Sequence, residues 1–141
     1  MEAADPELTK AFQQLQSKKQ ETAQQVELMD NKIGGTARAV KISELTLAEV
    51  SDQPIDAHLY RCIGRAFFLS SKTGIQDFFQ TKVSKLNENI RAYQESKAVL
   101  QKELKESEQA IRELVMRKKQ QMSSLSSSGS TGTAGNWDKP D

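Results

Sequence analysis

Two long seams of mostly apolar residues, each stepping alternately by four and three, constrain this chain more than any other feature. The first runs Leu8, Phe12, Leu15, Lys19, Thr22, Val26, Met29, Ile33, Thr36, Val40. The second runs Phe79, Val83, Leu86, Ile90, Tyr93, Lys97, Leu100, Leu104, Ser107, Ile111, Leu114, Lys118. A mean step of about 3.5 residues is the period at which α-helices wrap around one another. An amphipathic helix lying on a core gives a similar local pattern. The length of the seams, with no second apolar face, favours a coiled coil. Lys19 and Thr22 are polar insertions, which lower stability and can fix register.

The residues around the seams mark where the helices start and stop. Asp5, Pro6 and Glu7 form a helix start: a side-chain cap, a residue suited to the first helical position, and a carboxylate at the positive end of the dipole. Gly34 and Gly35 interrupt the first seam, at about 1 kcal/mol each relative to Ala; a locally soft helix and a hinge after Ile33 are both compatible with them. Thr46-Leu47-Ala48-Glu49 fits a capping box and predicts one or two separate short turns before Ser51-Asp52-Gln53-Pro54. Leu59 to Leu69 is rich in aromatic and branched residues around Gly64, and predicts a tight β-hairpin with that glycine in or beside the turn. Ser71 is a candidate cap for the second helix, although Gly74 stands where a capping box has Glu. On that helix, Glu108 with Arg112 and Glu113 with Arg117 are i,i+4 pairs in the favourable orientation. The expected boundaries are helix 5–45, β-hairpin region 57–70, helix 71–122, and a flexible Ser/Gly/Thr-rich tail 123–141. Trp137 in that tail is a candidate docking residue.

If the chain doubles back at the hairpin, one register sets the seams against each other. Val40 then faces Val83, Ile33 faces Ile90, Met29 faces Tyr93, Val26 faces Lys97, Lys19 faces Leu104 and Leu15 faces Ser107. The expected fold is mainly α: a long antiparallel two-helix coiled coil joined by a β-hairpin. Two strands alone are marginal in water and leave unpaired edges. Strand alternation puts Leu59 and Ile63 on one face, Tyr60 and Cys62 on the other, so apolar groups point both ways. Pairing with strands of other subunits would cover them; folding back on the chain's own helices is the alternative. At the far end of the coiled coil gather Leu8, Phe12, Leu15, Ile111, Leu114, Val115, Met116 and Met122, followed by Leu125. Unbranched, polarizable methionines there suit an adaptable apolar binding surface; ordinary seam packing with scattered exposed side chains is the alternative.

Composition narrows the function classes. Hydrophobic residues are 36% of the 141, and mean hydropathy is −0.66. Adding the 7 glycines gives about 41% apolar, under the usual ~45–50% of globular domains, so no thick core is expected. Lys and Arg number 20 against 19 Asp and Glu, for a net charge of +1. That balance gives no global attraction to nucleic acid or anionic membrane. A basic zipper would need a dense basic segment ahead of its seam, whereas Arg117-Lys118-Lys119 is short and follows one. No phosphate-cradling loop is present. His58 and Cys62 are the single members of their kinds, which disfavours metal sites, cofactors and nucleophilic catalysis. The expectation is a soluble, intracellular, non-enzymatic protein without a membrane span, placed in the cytoplasm with room for a nuclear pool.

Three stretches carry a family resemblance. They are Leu8-Thr9-Lys10-Ala11-Phe12-Gln13-Gln14-Leu15-Gln16-Ser17-Lys18, then Tyr60-Arg61-Cys62-Ile63-Gly64-Arg65-Ala66-Phe67-Phe68-Leu69-Ser70-Ser71-Lys72, and Ile111-Arg112-Glu113-Leu114. The middle stretch is the specific one. With the helix–strand–strand–helix order, the chain over residues 5–122 resembles the prefoldin family, in its β class. The resemblance implies an ATP-independent co-chaperone, a hetero-hexamer of α-class and β-class subunits joined through β-hairpins. Coiled-coil arms hold unfolded or nascent clients of the actin and tubulin type at their tips and pass them to the cytosolic chaperonin. It further implies that Tyr60, Ile63, Gly64, Phe67 and Leu69 belong to the assembly platform, to which we add the neighbouring Phe68, and that Leu8, Phe12, Ile111 and Leu114 lie at the tip that holds clients. A coiled-coil tether or adaptor without chaperone activity shares the seams, but not the strand-driven assembly or the apolar tip.

Overall fold

A computed structural model describes residues 5–129, as helix α1 (Pro6–Ser51), strands β1 (Leu59–Ile63) and β2 (Ala66–Ser70), and helix α2 (Lys72–Ser128). The fold is two long helices joined by an antiparallel β-hairpin. By contacts, the chain divides into a terminal unit (Met1–Gln20 with Glu103–Asp141) and a central unit (Glu21–Lys102). Each helix contributes a segment to both.

α1 starts as its sequence dictates. The Asp5 carboxylate accepts the Glu7 amide at 2.9 Å, and the Thr9 amide closes the first turn onto the Asp5 carbonyl at 3.0 Å. The helix does not stop at 45. It continues to Ser51 without a separate short turn, and the Thr46 hydroxyl donates back to the Ile42 carbonyl at 2.8 Å instead of capping a new helix. Backbone donors at Thr46 would lie free only in a fresh start; inside an existing helix the hydroxyl's nearest acceptor is the carbonyl one turn back. The last turn of α1 carries no basic residue. Lys72 from the start of α2 supplies the cation, donating to the Ser51 and Gln53 carbonyls at 2.9 and 2.8 Å.

Gly34 and Gly35 lie inside α1 and do not break it. A Cβ at either position would meet nothing within 4 Å. Gly34→Ala and Gly35→Ala are therefore expected to stabilise the helix by about 1 kcal/mol each, read as a higher thermal unfolding midpoint by circular dichroism. A drop in the midpoint would show that the glycines are needed for close approach of another chain.

α2 opens on Ser71, whose hydroxyl accepts the Gly74 amide at 3.1 Å. Gly74 leaves the box without its reciprocal carboxylate, and a Cβ there would sit 3.0 Å from the Ser71 hydroxyl oxygen, a tight contact with a rotatable side chain. The helix also outruns its expected end at 122. Residues 123–128, expected as flexible tail, are helical. Ser123, Ser124, Ser126, Ser127 and Ser128 each donate a hydroxyl hydrogen bond to the carbonyl three residues back, at 2.8–3.0 Å. The remainder of the expected tail, with Trp137, lies outside the described residues.

All twelve seam positions of α2, Phe79 through Lys118, are half-buried. On α1 the covered positions run Leu8, Ala11, Leu15, Lys18, Thr22, Val26, Met29, Ile33, Thr36, Val40, Ser43, Leu47 and Val50. The expected Phe12 and Lys19 are exposed, and Ala11 and Lys18 take their places. Two successive steps of four, Lys18 to Thr22 to Val26, re-phase the seam; such a stutter shifts a heptad pattern locally. Ile75, at 4% exposure, is the fully buried apolar residue of the central unit. Thr22 and Ser43 are its buried polar residues, both small enough for close helix approach.

Side chains that bridge the helices start three or four residues beyond the expected partners. Lys97 reaches Asp30 at 2.7 Å rather than Val26, and Lys32 lies 5.6 Å from the Tyr93 ring centroid where Met29 was expected. In the terminal unit, Lys18 donates to the Ser107 hydroxyl at 2.8 Å where Leu15 was expected, and Lys19 pairs with Glu108 at 3.0 Å where Leu104 was expected. Every helical Cα–Cβ bond tilts toward its own N-terminus, so in an antiparallel pair the side chains that meet come from residues further along both helices.

Candidate functional surfaces

The hairpin turn is made by Gly64 and Arg65 between the paired Ile63 and Ala66, with Gly64 at φ +63°. Two-residue hairpin loops whose twist matches the strands need positive φ at that first central position, which favours glycine. The register pairs Leu59 with Ser70, Tyr60 with Leu69, Arg61 with Phe68, and Cys62 with Phe67. Directly opposed residues share a face, so one face holds Leu59, Arg61, Ile63, Ala66, Phe68 and Ser70, the other Tyr60, Cys62, Phe67 and Leu69.

The first face rests partly on the helices. Leu59, Arg61 and Ser70 are half-buried. The Arg61 guanidinium lies 3.9 Å from the Phe78 ring centroid, and Phe78 meets Phe79 edge-to-face at 5.3 Å. Stacking an arginine plane on an aromatic face is favourable and keeps the charge hydrated at its rim. Toward the turn this cover ends, leaving Ile63 and Phe68 exposed. The second face has no cover among the described residues: Tyr60 is 61% exposed, Phe67 71% and Leu69 63%. The platform residues expected from the sequence are therefore split between two faces. Cys62 completes the open face with Tyr60, Phe67 and Leu69. Its alternation with Tyr60 along β1 is the signal that places it there.

The terminal unit is held by charge as well as by its seam. Lys118 binds Asp5 at 2.9 Å and Glu7 at 2.8 Å, tying the first turn of α1 to α2. The hydrogen bond from Lys118, then the Glu7 amide, hold the Asp5 carboxyl below the usual aspartate range, while Glu7 first and Asp5 second hold the Lys118 ammonium above its usual value. Lys19 likewise lowers Glu108, which turns to that cross-helix partner rather than to an i,i+4 arginine alone. Glu113 accepts from Gln109 at 3.2 Å. A carboxylate with a depressed folded pKa contributes stability that is present above its unfolded value and lost as pH falls through the folded one. Acidification below the ordinary aspartate pKa is therefore expected to loosen the first turn of α1. Amide exchange at Glu7 to Thr9 should accelerate there in the native chain, and Asp5→Asn should remove most of that acid dependence.

The expected tip residues fall into two sets. Leu8, Leu15, Ile111 and Leu114 are seam residues, half-buried, with Val115 beside them. Leu15 and Ile111 line one groove between the helices with Lys18 and Ser107. Phe12, Met116 and Met122 are exposed, Phe12 by 50%. Among the described residues no group of His, Cys, Asp and Glu is placed to hold a metal ion, and no helix is long and apolar enough to cross a membrane.

Comparison with known proteins matches residues 13–118 to the family described as "Prefoldin subunit". Prefoldin subunit 1 of Homo sapiens and of Bos taurus are each 35% identical over 117 residues, covering 83% of this chain and 96% of those proteins. Probable prefoldin subunit 1 of Caenorhabditis elegans is 31% identical over 112 residues, covering 79% of this chain and 96% of that protein. Among solved structures, the prefoldin beta subunit from Thermococcus strain KS-1 superposes with a TM-score of 0.65 at 20% identity, over 81% of this chain and 96% of that one.

Proposed function

The chain belongs to the prefoldin family, and from that premise we propose that its hairpin is the assembly platform and its terminal unit the surface that holds unfolded clients. It is a prefoldin co-chaperone subunit and associates with other prefoldin subunits. The finer reading is a hetero-hexamer of α-class and β-class subunits in the cytosol. In it Tyr60, Ile63, Gly64, Phe67, Phe68 and Leu69 pair with strands of neighbours, and Leu8, Phe12, Leu15, Ile111, Leu114, Val115, Met116 and Met122 form the client surface. Its clients are of the actin and tubulin type, handed on to the cytosolic chaperonin without nucleotide.

The observation that carries the platform assignment is the uncovered hairpin face. Tyr60, Phe67 and Leu69 stand in water on a sheet with both outer edges unpaired among the described residues. An apolar, open-edged two-stranded sheet gains from strand addition and from burial of large aromatic side chains. At the other unit, exposed Phe12 and methionines offer weak, adaptable contacts. Several subunits acting on one client raise the effective concentration of each further contact, so weak contacts suffice.

Native mass spectrometry of the tagged chain, purified gently from its own cells, tests this reading. A hetero-hexamer of small coiled-coil subunits is expected. A homodimer, or a stable pair with one large protein, would overturn the platform assignment.

A further inference from the structure

The seam of α2 does not stop where α1 does. Lys118 bonds the residues at the very start of α1, Asp5 and Glu7, yet α2 continues to Ser128. Beyond Lys118, Met122 and Leu125 fall on the same helical face as Ile111, Leu114 and Lys118, since their positions lie within about 40° of it at 100° per residue. With no α1 residue left to cover them, Met122 is 59% exposed and Leu125 71%. Arg117 and Lys119 flank this face on either side of Lys118, and the segment 114–128 contains no acidic residue. The result is a short apolar strip with basic margins, continuous with a packed seam.

We propose that this strip is the docking site for the chain's own C-terminal segment, with Trp137 seated on Met122 and Leu125. Three features of the sequence fit that occupant. Trp137 is the sole tryptophan of the chain, followed by Asp138 and Asp141 against the one Lys139, a local charge opposite to that of the strip. Residues 130–136 between the helix and Trp137 are Ser, Thr, Gly, Thr, Ala, Gly and Asn in addition to nothing bulky or charged. Eight residue steps from Gly129 to Trp137 can span at most about 28 Å of chain. Leu125 and Met122 lie only about 6 and 10 Å back along the helix from Gly129. Tethering at such short range gives a millimolar effective concentration, so a modest contact is populated. Indole on methionine and leucine supplies it, with a favourable sulfur–aromatic contribution.

The single tryptophan is its own reporter, so the test does not pass through any client assay, and its outcome does not depend on the client-surface reading, with which the strip shares only Met122. In the full-length chain, Trp137 emission is expected to be blue-shifted and partly shielded from acrylamide. Met122→Ser with Leu125→Ser should return both to the values of the urea-unfolded chain, while Phe12→Ser leaves them unchanged. Both replaced residues are exposed, so helix content by circular dichroism should hold. A fully exposed indole in the native chain, or a blue shift indifferent to the double substitution, would overturn the proposal. So would a blue shift that fades on dilution, which would put a second copy on the strip instead.

Discussion

Phe67→Asp is expected to abolish assembly while leaving both helices folded. In the isolated chain the Phe67 ring is mostly in water and opposes Cys62 across the hairpin, so the substitution removes no intrachain packing. In an assembled platform the same site would be buried, and an unpaired carboxylate there costs about 3–5 kcal/mol. That corresponds to at least a hundredfold loss of association. Phe68→Asp should be milder. Phe68 faces Arg61 directly across the strands, and a carboxylate at that position has a guanidinium at hand to neutralise it. Native mass spectrometry reads the oligomer, and circular dichroism at 222 nm reads the helices. An intact hetero-oligomer carrying Phe67→Asp would remove the open hairpin face from the interface; loss of helix signal would mean that the hairpin is needed for the fold itself.

How far the sequence revealed this architecture differs between its two helices. The seam of α2 was legible from Phe79 to Lys118 because its four-and-three alternation never slips and most of its positions hold large side chains, whereas the serine-rich last turns at 123–128 read as tail. α1 was legible from Thr22 onward, but a strict heptad drawn backward from there lands on Phe12 and Lys19. The structure steps instead through Lys18 to Ala11, because the extra step of four around Thr22 rotates the seam and a small alanine can face the partner helix. Size misled the reading: the large aromatic looked like core, yet it stands on the open side. The end of α1 was hidden for a related reason. Thr46 with Glu49 looks like the start of a new helix, but the Thr46 hydroxyl donates to the Ile42 carbonyl one turn back, and Ser43, 2% exposed, is a small side chain used for close packing. The hairpin was legible in position and turn. Its division into a resting face and an open face was not, since alternation alone gives two faces and only the three-dimensional position of Phe78 shows which one Arg61 lies on.

The division of the terminal unit into seam residues and exposed residues makes the proposed client surface separable from stability. Phe12→Ser with Met116→Ser is expected to leave the unfolding midpoint nearly unchanged, because substitutions at exposed sites away from packing usually shift stability by less than ~0.5 kcal/mol. Leu114→Ser, by contrast, removes a half-buried seam side chain and should lower the midpoint measurably. If exposed apolar side chains hold the client, the ranking reverses in a holding assay. Suppression of aggregation of chemically unfolded actin by the proposed hexamer, reconstituted with its partner subunits, should fall about tenfold with the Phe12 and Met116 pair. The loss stops there because the other subunits still contribute contacts to a multivalent hold. A seam-based surface predicts the opposite order, since Leu114 becomes available only where the helices part. Unchanged protection by the Phe12 and Met116 pair, alongside loss of protection with Leu114→Ser at temperatures where that variant is still folded, would move the client surface from the exposed face into the seam.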